Sequence, residues 1–351
     1  MKLSPLFAAV AAALLLSTVP VAHASPGPGM SWQAAAADAD IDRYFAQAKA
    51  EKKPVLLYWG AKWCPPCNQL KATLFNRADF IEQSKAFVAV GIDGDAPGAQ
   101  KLGTRFKVRG YPTMILFNPS GSEITRLPGE ADAAQVMKVL QLGLSSGRPV
   151  KAVLADAKAG KKLSANEWRL LGFYGWETDE QQLLPADQRA ATLAQLAKAS
   201  EGVDAETTTR LWLKSIGAMA EGKAADPAQL PRLRAVLADA AQSHAQMDVL
   251  TNEAPDLVKA LAPAAGDARN QLVAEFDTAL KRLNADATLS RADRLNALQG
   301  RIDLARLDSA KDDPNPAKIP AALLTEAREQ ASRSNREVSS AAGILDRKSV
   351  V

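Results

Sequence analysis

The sequence predicts two unlike parts: an α/β unit built on a mixed sheet flanked by helices, and after it an all-helical region. Three observations carry this. Short apolar runs bounded by Gly and Pro alternate with helical periods as far as Gly147 and then stop. Asn118-Pro119-Ser120-Gly121 is a turn between two strand-like runs, which implies a hairpin late in the α/β unit. Beyond Gly147 no β-branched run recurs, while helix-start signals do, in a chain rich in Ala, the residue with the best helix propensity. The length of 351 residues also suits two domains.

The elements follow in order. From Asp38 to Ala50, Ile41, Tyr44, Phe45 and Ala48 share one helical face, and Lys52-Lys53-Pro54 ends the helix. Val55-Leu56-Leu57-Tyr58-Trp59, between Pro54 and Gly60, reads as a buried strand. A helical pattern runs from Asn68 to about Glu82. Phe87–Val90 is a second strand, expected to stop at Gly91 before the Asp93-Gly94-Asp95 turn. A short helix is expected around 98–106, a strand over Thr113–Phe117 after Gly110-Tyr111-Pro112, its hairpin partner over Glu123–Arg126, and a closing helix from Asp132 to Leu142. Early parallel strands and a late hairpin place helices on both faces of the sheet.

In the second part Ser164-Ala-Asn-Glu167 is a capping box ahead of Trp168, Leu170 and Leu171. Pro185-Ala-Asp precedes a helix to about Ala199; Asp204 opens one with Leu211, Leu213 and Ile216; Asp226-Pro227 opens one running towards His244. Further helices are expected over 267–284, 290–308 and 320–334. Roughly seven or eight helices with starts spaced by 20–35 residues suit stacked helical hairpins or a plain bundle. The last six residues, Asp346-Arg-Lys-Ser-Val-Val351, match what a common sequencing adapter encodes, so they are expected to be an artefact on a helical region that continues.

The amino terminus reads as a secretory signal. Lys2 supplies positive charge, Leu6 to Leu16 is almost purely apolar, and Ala22-His23-Ala24 is a small-x-small cleavage site. The apolar run is short for a membrane span, which needs about 20 residues; an uncleaved anchor is the alternative. The expected layout is a signal peptide over 1–24 cleaved after Ala24, a flexible leader over 25–32, the α/β unit over 33–147, the helical region over 148–345 and the adapter-like end over 346–351. No later segment suits a membrane span, and with a secretory signal and no transit-peptide pattern the mature chain is expected in a bacterial periplasm. The 43 basic and 39 acidic residues are interspersed, with a net charge of +4, so no basic stripe tracks a phosphate backbone and nucleic acid is a poor partner.

The chemistry is concentrated at Cys64-Pro65-Pro66-Cys67, the chain's two cysteines, between a strand and a helix. At a helix N-terminus, unpaired N–H groups and the dipole favour a thiolate at Cys64. Cys67, one turn on, can close a small ring that opens and re-forms, passing two electrons to another disulfide. Pro65 and Pro66 fit the first turn, where a missing N–H costs little. Structural zinc wants four ligands, and beyond these cysteines the mature chain offers only His244. Covalent haem attachment needs histidine after the second cysteine, where Asn68 stands. An inert disulfide closing so short a loop would constrain little. No metal or organic cofactor is needed.

Residues 33–145 resemble the thioredoxin superfamily. The matching elements are Trp-Cys-Pro-Pro-Cys at 63–67, the preceding strand Pro54–Trp59, and Gly-Tyr-Pro-Thr at 110–113; KPVLLYWGAKWC, Leu74-Phe75 and FVAVGID at 87–93 look most like exported thioredoxin-like proteins. The resemblance implies a thioredoxin fold, with Cys64 the attacking thiol, Cys67 the resolving one, Pro112 a cis proline beside the disulfide, and Tyr111 presenting its backbone to a substrate strand. Trp63 would flank the site or simply pack. Two departures stand out. The buried acid of thioredoxins falls at Tyr58, a poor base with an ordinary pKa near 10, and the lysine paired with that acid falls at Ala89. Water or Lys62 would have to take the proton. Two prolines between the cysteines bring no charge, which argues against a strong oxidant.

Two functions are therefore carried forward. One is a periplasmic thiol–disulfide oxidoreductase, more reducing than oxidising, acting on a protein disulfide or thiol and regenerated by a membrane redox partner. The other is a non-catalytic binding or scaffold protein whose helical region captures a partner, supported by the α/β unit. Trp168, Phe173, Tyr174 and Trp176, the densest aromatic cluster, would line a groove or form a core or interdomain contact.

Overall fold

A computed structural model describes residues 29–127, 133–179, 182–219, 223–309, 319–330 and 332. The expected signal peptide, the first half of the leader (25–28) and the adapter-like end lie outside the described residues, as do Asp132 and the close of the 320–334 helix.

The first part runs β1 (Gln33–Ala34), α1 (Asp38–Glu51), β2 (Val55–Gly60), α2 (Pro65–Thr73), α3 (Ala78–Ser84), β3 (Val88–Asp93), α4 (Ala99–Arg105), β4 (Thr113–Phe117), β5 (Glu123–Leu127) and α5 (Ala133–Ser146). The strands form one mixed sheet in the order β1-β3-β2-β4-β5. β1 and β2 run parallel to β3, β4 runs antiparallel to β2, and β5 pairs antiparallel with β4. This is a thioredoxin fold followed by helices.

Every residue of the central strand β2 is buried, as its unbroken apolar run requires. Side chains alternate faces. Leu56, Tyr58, Met114 and Leu116 meet Leu70, Leu74 and Phe75 on one side, whereas Val55, Leu57, Trp59 and Ile115 meet Ile41, Tyr44, Ala48 and Leu102 on the other.

Several elements depart from the sequence reading. The helix expected over 68–82 is two helices, and the break lets the consecutive Leu74 and Phe75 both bury completely. β3 does not stop at Gly91: that glycine pairs with Tyr58 and also with Ala34 of the unexpected β1, because tertiary pairing on both edges overrides a weak strand former. Residues 29–32, expected in the leader, pack: Met30 is buried, and the Trp32 ring lies 5.5 Å from Tyr58 and 5.0 Å from Phe75.

The second part comprises α6 (Val150–Lys158), α7 (Ala165–Gly172), α8 (Ala186–Ala199), α9 (Ala205–Gly217), a short 3-10 turn (Pro227–Gln229), α10 (Leu230–Ala238), α11 (Ala240–Ala245), α12 (Met247–Asn252), α13 (Ala254–Leu261), α14 (Asp267–Ala285) and α15 (Arg291–Ala305), with further helix over 321–330. The capping box forms: Ser164 Oγ accepts the Glu167 N–H, and Glu167 Oε2 accepts the Ser164 N–H at 2.7 Å. Asp204 accepts the Glu206 N–H and opens α9. The single helix expected from Asp226 to His244 is broken at Asp239, which ends α10 and caps α11 by accepting the Gln242 N–H at 2.8 Å. α6, α12 and α13 were not expected. Helical hairpins do occur, α8 with α9 and α14 with α15. Among the described residues no helix is long and apolar enough to cross a membrane.

The two parts share packing. Leu170 and Phe173 of the α7 region belong to the hydrophobic cluster on the α2 face of the sheet, beside Ile124, Leu127 and Leu140. Trp168, Tyr174 and Trp176 are buried in the helical core, the last two edge to face with ring centroids 4.9 Å apart. The aromatic cluster is thus core and junction.

The helical core also holds charge. Arg210, fully buried, donates to Asp248 Oδ1 at 2.8 Å and to the Gly172 carbonyl, with its guanidinium 4.3 Å above the Phe173 ring. One helical turn on, the buried Lys214 Nζ lies 2.7 Å from Glu177 and 3.5 Å from Glu253.

Candidate active site

β2 leaves the sheet at Gly60, and four residues later Cys64 caps α2. Cys64 and Cys67 form a disulfide. The Cys67 N–H donates to Cys64 Sγ at 3.2 Å, so the first sulfur already sits where a helix N-terminus would receive negative charge. The first turn of α2 carries no acidic side chain. Pro65 and Pro66 occupy that turn, so its donors fall to Cys67 and Asn68. Asn68 reaches back, its Nδ2 donating to the Lys62 carbonyl at 2.9 Å and fixing the turn ahead of Cys64.

Three loops meet here because the C-terminal ends of parallel β2 and β3 lie side by side. The Gly94 N–H donates to the Gly60 carbonyl at 2.8 Å. The Trp63 indole N–H donates to Asp95 Oδ1 at 3.0 Å. The Tyr111 hydroxyl donates to the Gly94 carbonyl at 3.3 Å, and a Cβ on Gly94 would strike the Tyr111 ring at 2.3 Å, so glycine is required there. The Tyr111–Pro112 peptide bond is cis, and Tyr111 packs against the small cluster of Ala61, Cys64 and Cys67. Burial, with Asp95 and then Asp93 adding to it, raises the Tyr111 hydroxyl pKa above its usual value and keeps it a donor. Pro112 and both cysteines are buried, Cys64 being only 2% exposed, whereas Trp63 is 67% exposed. The Trp63 and Tyr111 rings stand 6.4 Å apart beside the disulfide.

Tyr58 lies deeper. Its register partners are Gly91 and Met114, and Ala89 is two residues back along β3, in the same hydrophobic cluster. Its hydroxyl lies under Gly60, where an added Cβ would come within 2.3 Å, and makes no hydrogen bond. Burial pushes its pKa far up, so it remains a phenol.

The structure thus gathers Cys64, Cys67, Trp63, Tyr111, Pro112, Pro65 and Pro66 at one end of the sheet, with Tyr58 beneath. Sequence reasoning missed Asp95, Gly94 and Asn68. Asp93-Gly94-Asp95 reads in the sequence only as a turn; that it ends a strand parallel to β2, level with the cysteines, is the available signal. Among the described residues no cluster of His, Cys, Asp or Glu could hold a metal ion.

Fold and site together define a thioredoxin-like domain with a redox-type cysteine pair. The profile of the thioredoxin-like domain family matches residues 41–143. The chain is similar to the thiol:disulfide interchange protein DsbD 2 of Pseudomonas aeruginosa, 34% identical over 99 residues, which are 27% of this chain and 17% of that one. It is also similar to DsbD 1 of the same organism, 32% identical over 130 residues, 35% of this chain and 22% of that one. Among solved structures, a thioredoxin from Thermus thermophilus is 25% identical with a TM-score of 0.30, covering 34% of this chain and 90% of that one. The chain therefore spans 17% and 22% of the length of the two curated relatives.

Proposed function

We propose that this protein is an exported, periplasmic thiol–disulfide oxidoreductase that works in the reducing direction. The observation that carries the reading is the Cys64–Cys67 disulfide at the N-terminus of α2, with Cys64 Sγ accepting the Cys67 N–H beside Tyr111 and Pro112. In the reduced form, the Cys64 thiolate attacks one sulfur of a substrate disulfide. A Cys64–substrate mixed disulfide forms and the other substrate sulfur leaves as a thiolate, taking a proton from water. Cys67 then gives up its proton and attacks Cys64 Sγ. The intramolecular disulfide closes and the second substrate thiol is released. Two electrons pass from the cysteine pair to the substrate.

Helix-terminus stabilisation of the first thiolate supports Cys64 as the attacking group. With Tyr58 remaining a phenol, the Cys67 proton goes to water. A dithiol partner, here proposed to be a membrane reductase, restores the reduced form. The layout of signal 1–24, redox unit 33–147 and helical region 148–345 belongs to the same proposal.

The test is the reduction potential of the pair against glutathione, together with trapping by Cys67→Ser. A reversible two-electron couple towards the thioredoxin end, about −270 mV, and a mixed disulfide retained on Cys64 are expected. A pair that does not exchange with glutathione would leave the disulfide structural and the helical region as the functional part.

A further inference from the structure

At the β5 edge of the sheet, one buried guanidinium joins the helical region to the loop beside the disulfide. Arg126 is fully buried, yet all five of its N–H donors are used. Nε donates to Glu123 Oε1 at 3.2 Å. Nη1 donates to the carbonyls of Lys107 at 2.8 Å and Thr178 at 3.2 Å. Nη2 donates to the Phe106 carbonyl at 2.7 Å and to Glu123 Oε2 at 3.2 Å. Glu123 is held from the helical side, accepting from the Tyr174 hydroxyl at 3.2 Å and from Gln182 Nε2 at 2.9 Å. The Gly175 N–H donates to the carbonyl of Arg126 itself at 2.8 Å. A Cβ on Gly175 would come within 2.7 Å of Thr178 Oγ1 and 3.4 Å of that carbonyl.

Two of the acceptors lie on the path to the site. Phe106 and Lys107 follow α4, and Lys107 adopts a left-handed φ of 54°. A residue with a β-carbon resists that conformation. Here the end of α4 supplies it: the Lys107 N–H donates to the Thr104 carbonyl at 3.4 Å and the Val108 N–H to the Gly103 carbonyl at 2.8 Å, the closing bonds of a left-handed helix cap. The Lys107 carbonyl so placed accepts the charge-assisted hydrogen bond from Arg126. From Lys107 the chain runs through Val108, Arg109 and Gly110 straight to Tyr111 and Pro112. Without the guanidinium, the Phe106 and Lys107 carbonyls lose their charged donor, and the capped end of α4 loses its tie to β5 and to Thr178 at the point where that loop begins.

We propose that Arg126 is a positioning residue for the redox site: by clamping Phe106 and Lys107 against the helical region, it sets where Tyr111 and Pro112 stand beside Cys64, and so how a protein disulfide docks there. The helical region is then part of the site, supplying Thr178, Gly175, Tyr174 and Gln182 to the clamp. The inference rests on the thiol–disulfide reading above.

The test uses the full chain with Arg126→Lys, which keeps the charge beside Glu123 and loses the fork to the carbonyls. Oxidation of the reduced protein is timed with oxidised glutathione, which needs only an accessible thiolate, and with insulin, which must also dock as a chain. The glutathione rate should stay within about twofold while the insulin rate falls roughly 10- to 100-fold, since small misplacements of a docking element cost that much. A general loss of structure would slow both alike. If Arg126→Lys does not unfold cooperatively, Gly175→Ala is read in the same way, because it disturbs the clamp from the helical side and leaves the guanidinium in place. Equal rates for variant and wild type with insulin, or equal losses with both disulfides, overturn the inference alone. Wild-type protein that reacts with neither disulfide overturns the redox reading and the inference with it.

Discussion

Replacing Glu253 by Gln should make the protein more stable above neutral pH while leaving it unchanged in mild acid. Glu253 joins α12 to α13, and its side chain is 15% exposed. A Cβ on Gly217 would fall on its carboxylate, so the group is pressed against the α9 backbone. Lys214 is its nearest cation at 3.5 Å, but Lys214 holds Glu177 more closely at 2.7 Å. Arg210 is committed to Asp248. Burial, reinforced by the Glu177 and Asp248 charges and only partly countered by Lys214 and Arg210, pushes the Glu253 pKa up to about 7 from an ordinary 4.5.

The folded state therefore holds this proton more tightly than the unfolded chain does. Its contribution to stability is fully present below pH 4.5 and is lost as pH rises to about 7. At about 1.36 kcal/mol per tenfold in proton affinity, the full loss is ~3 kcal/mol. Glutamine keeps the shape and the neutral form at every pH. Urea denaturation of wild type and Glu253→Gln at pH 4 and pH 8 should give similar midpoints at the lower pH. At the higher pH the variant should lead by up to ~3 kcal/mol. Parallel pH profiles, or a variant weaker at pH 8, would refute the reasoning.

Two further outcomes can be checked by the same denaturation. Tyr58→Phe removes a buried hydroxyl that makes no hydrogen bond, and should raise stability by about 1 kcal/mol; a loss of similar size would mean the hydroxyl is satisfied in solution. Ser164→Ala breaks the reciprocal cap at the start of α7 and should cost about 1 kcal/mol, a reading that an unchanged midpoint would sink.

What the sequence disclosed follows the range of the forces involved. Local signals were legible: the Pro54–Gly60 boundaries of β2, the Ser164 capping box, the Asp204 cap, and the cysteine pair with its cis proline. Readings failed where a distant partner decides. Gly91 looks like a strand terminator until β1 and β2 pair with it on both sides. Leu74-Phe75 looks like a helix interior until both side chains must reach one core. Asp239 falls inside the single helix expected from Asp226 towards His244, but it serves two helices at once as stop and cap. The site divides in the same way. Cys64, Cys67 and Pro112 are marked by local chemistry and motif, whereas Asp95 and Arg126 gain their meaning only from a tryptophan 32 positions away and from carbonyls 19, 20 and 52 positions away.

The seating of Leu170 and Phe173 against the α2 face of the sheet has a consequence for how the chain is made. Chains are synthesised from the N-terminus, and folding follows emergence. The strands and the two cysteines leave the ribosome before the residues that finish their own core. Until residue 173 emerges, Leu127 and Leu140 lack part of their apolar cover, and Arg126 lacks the Thr178 carbonyl. A nascent chain paused in that interval would present a sticky, half-built sheet alongside two reactive thiols, the stretch of its biosynthesis in which a chaperone has most to protect.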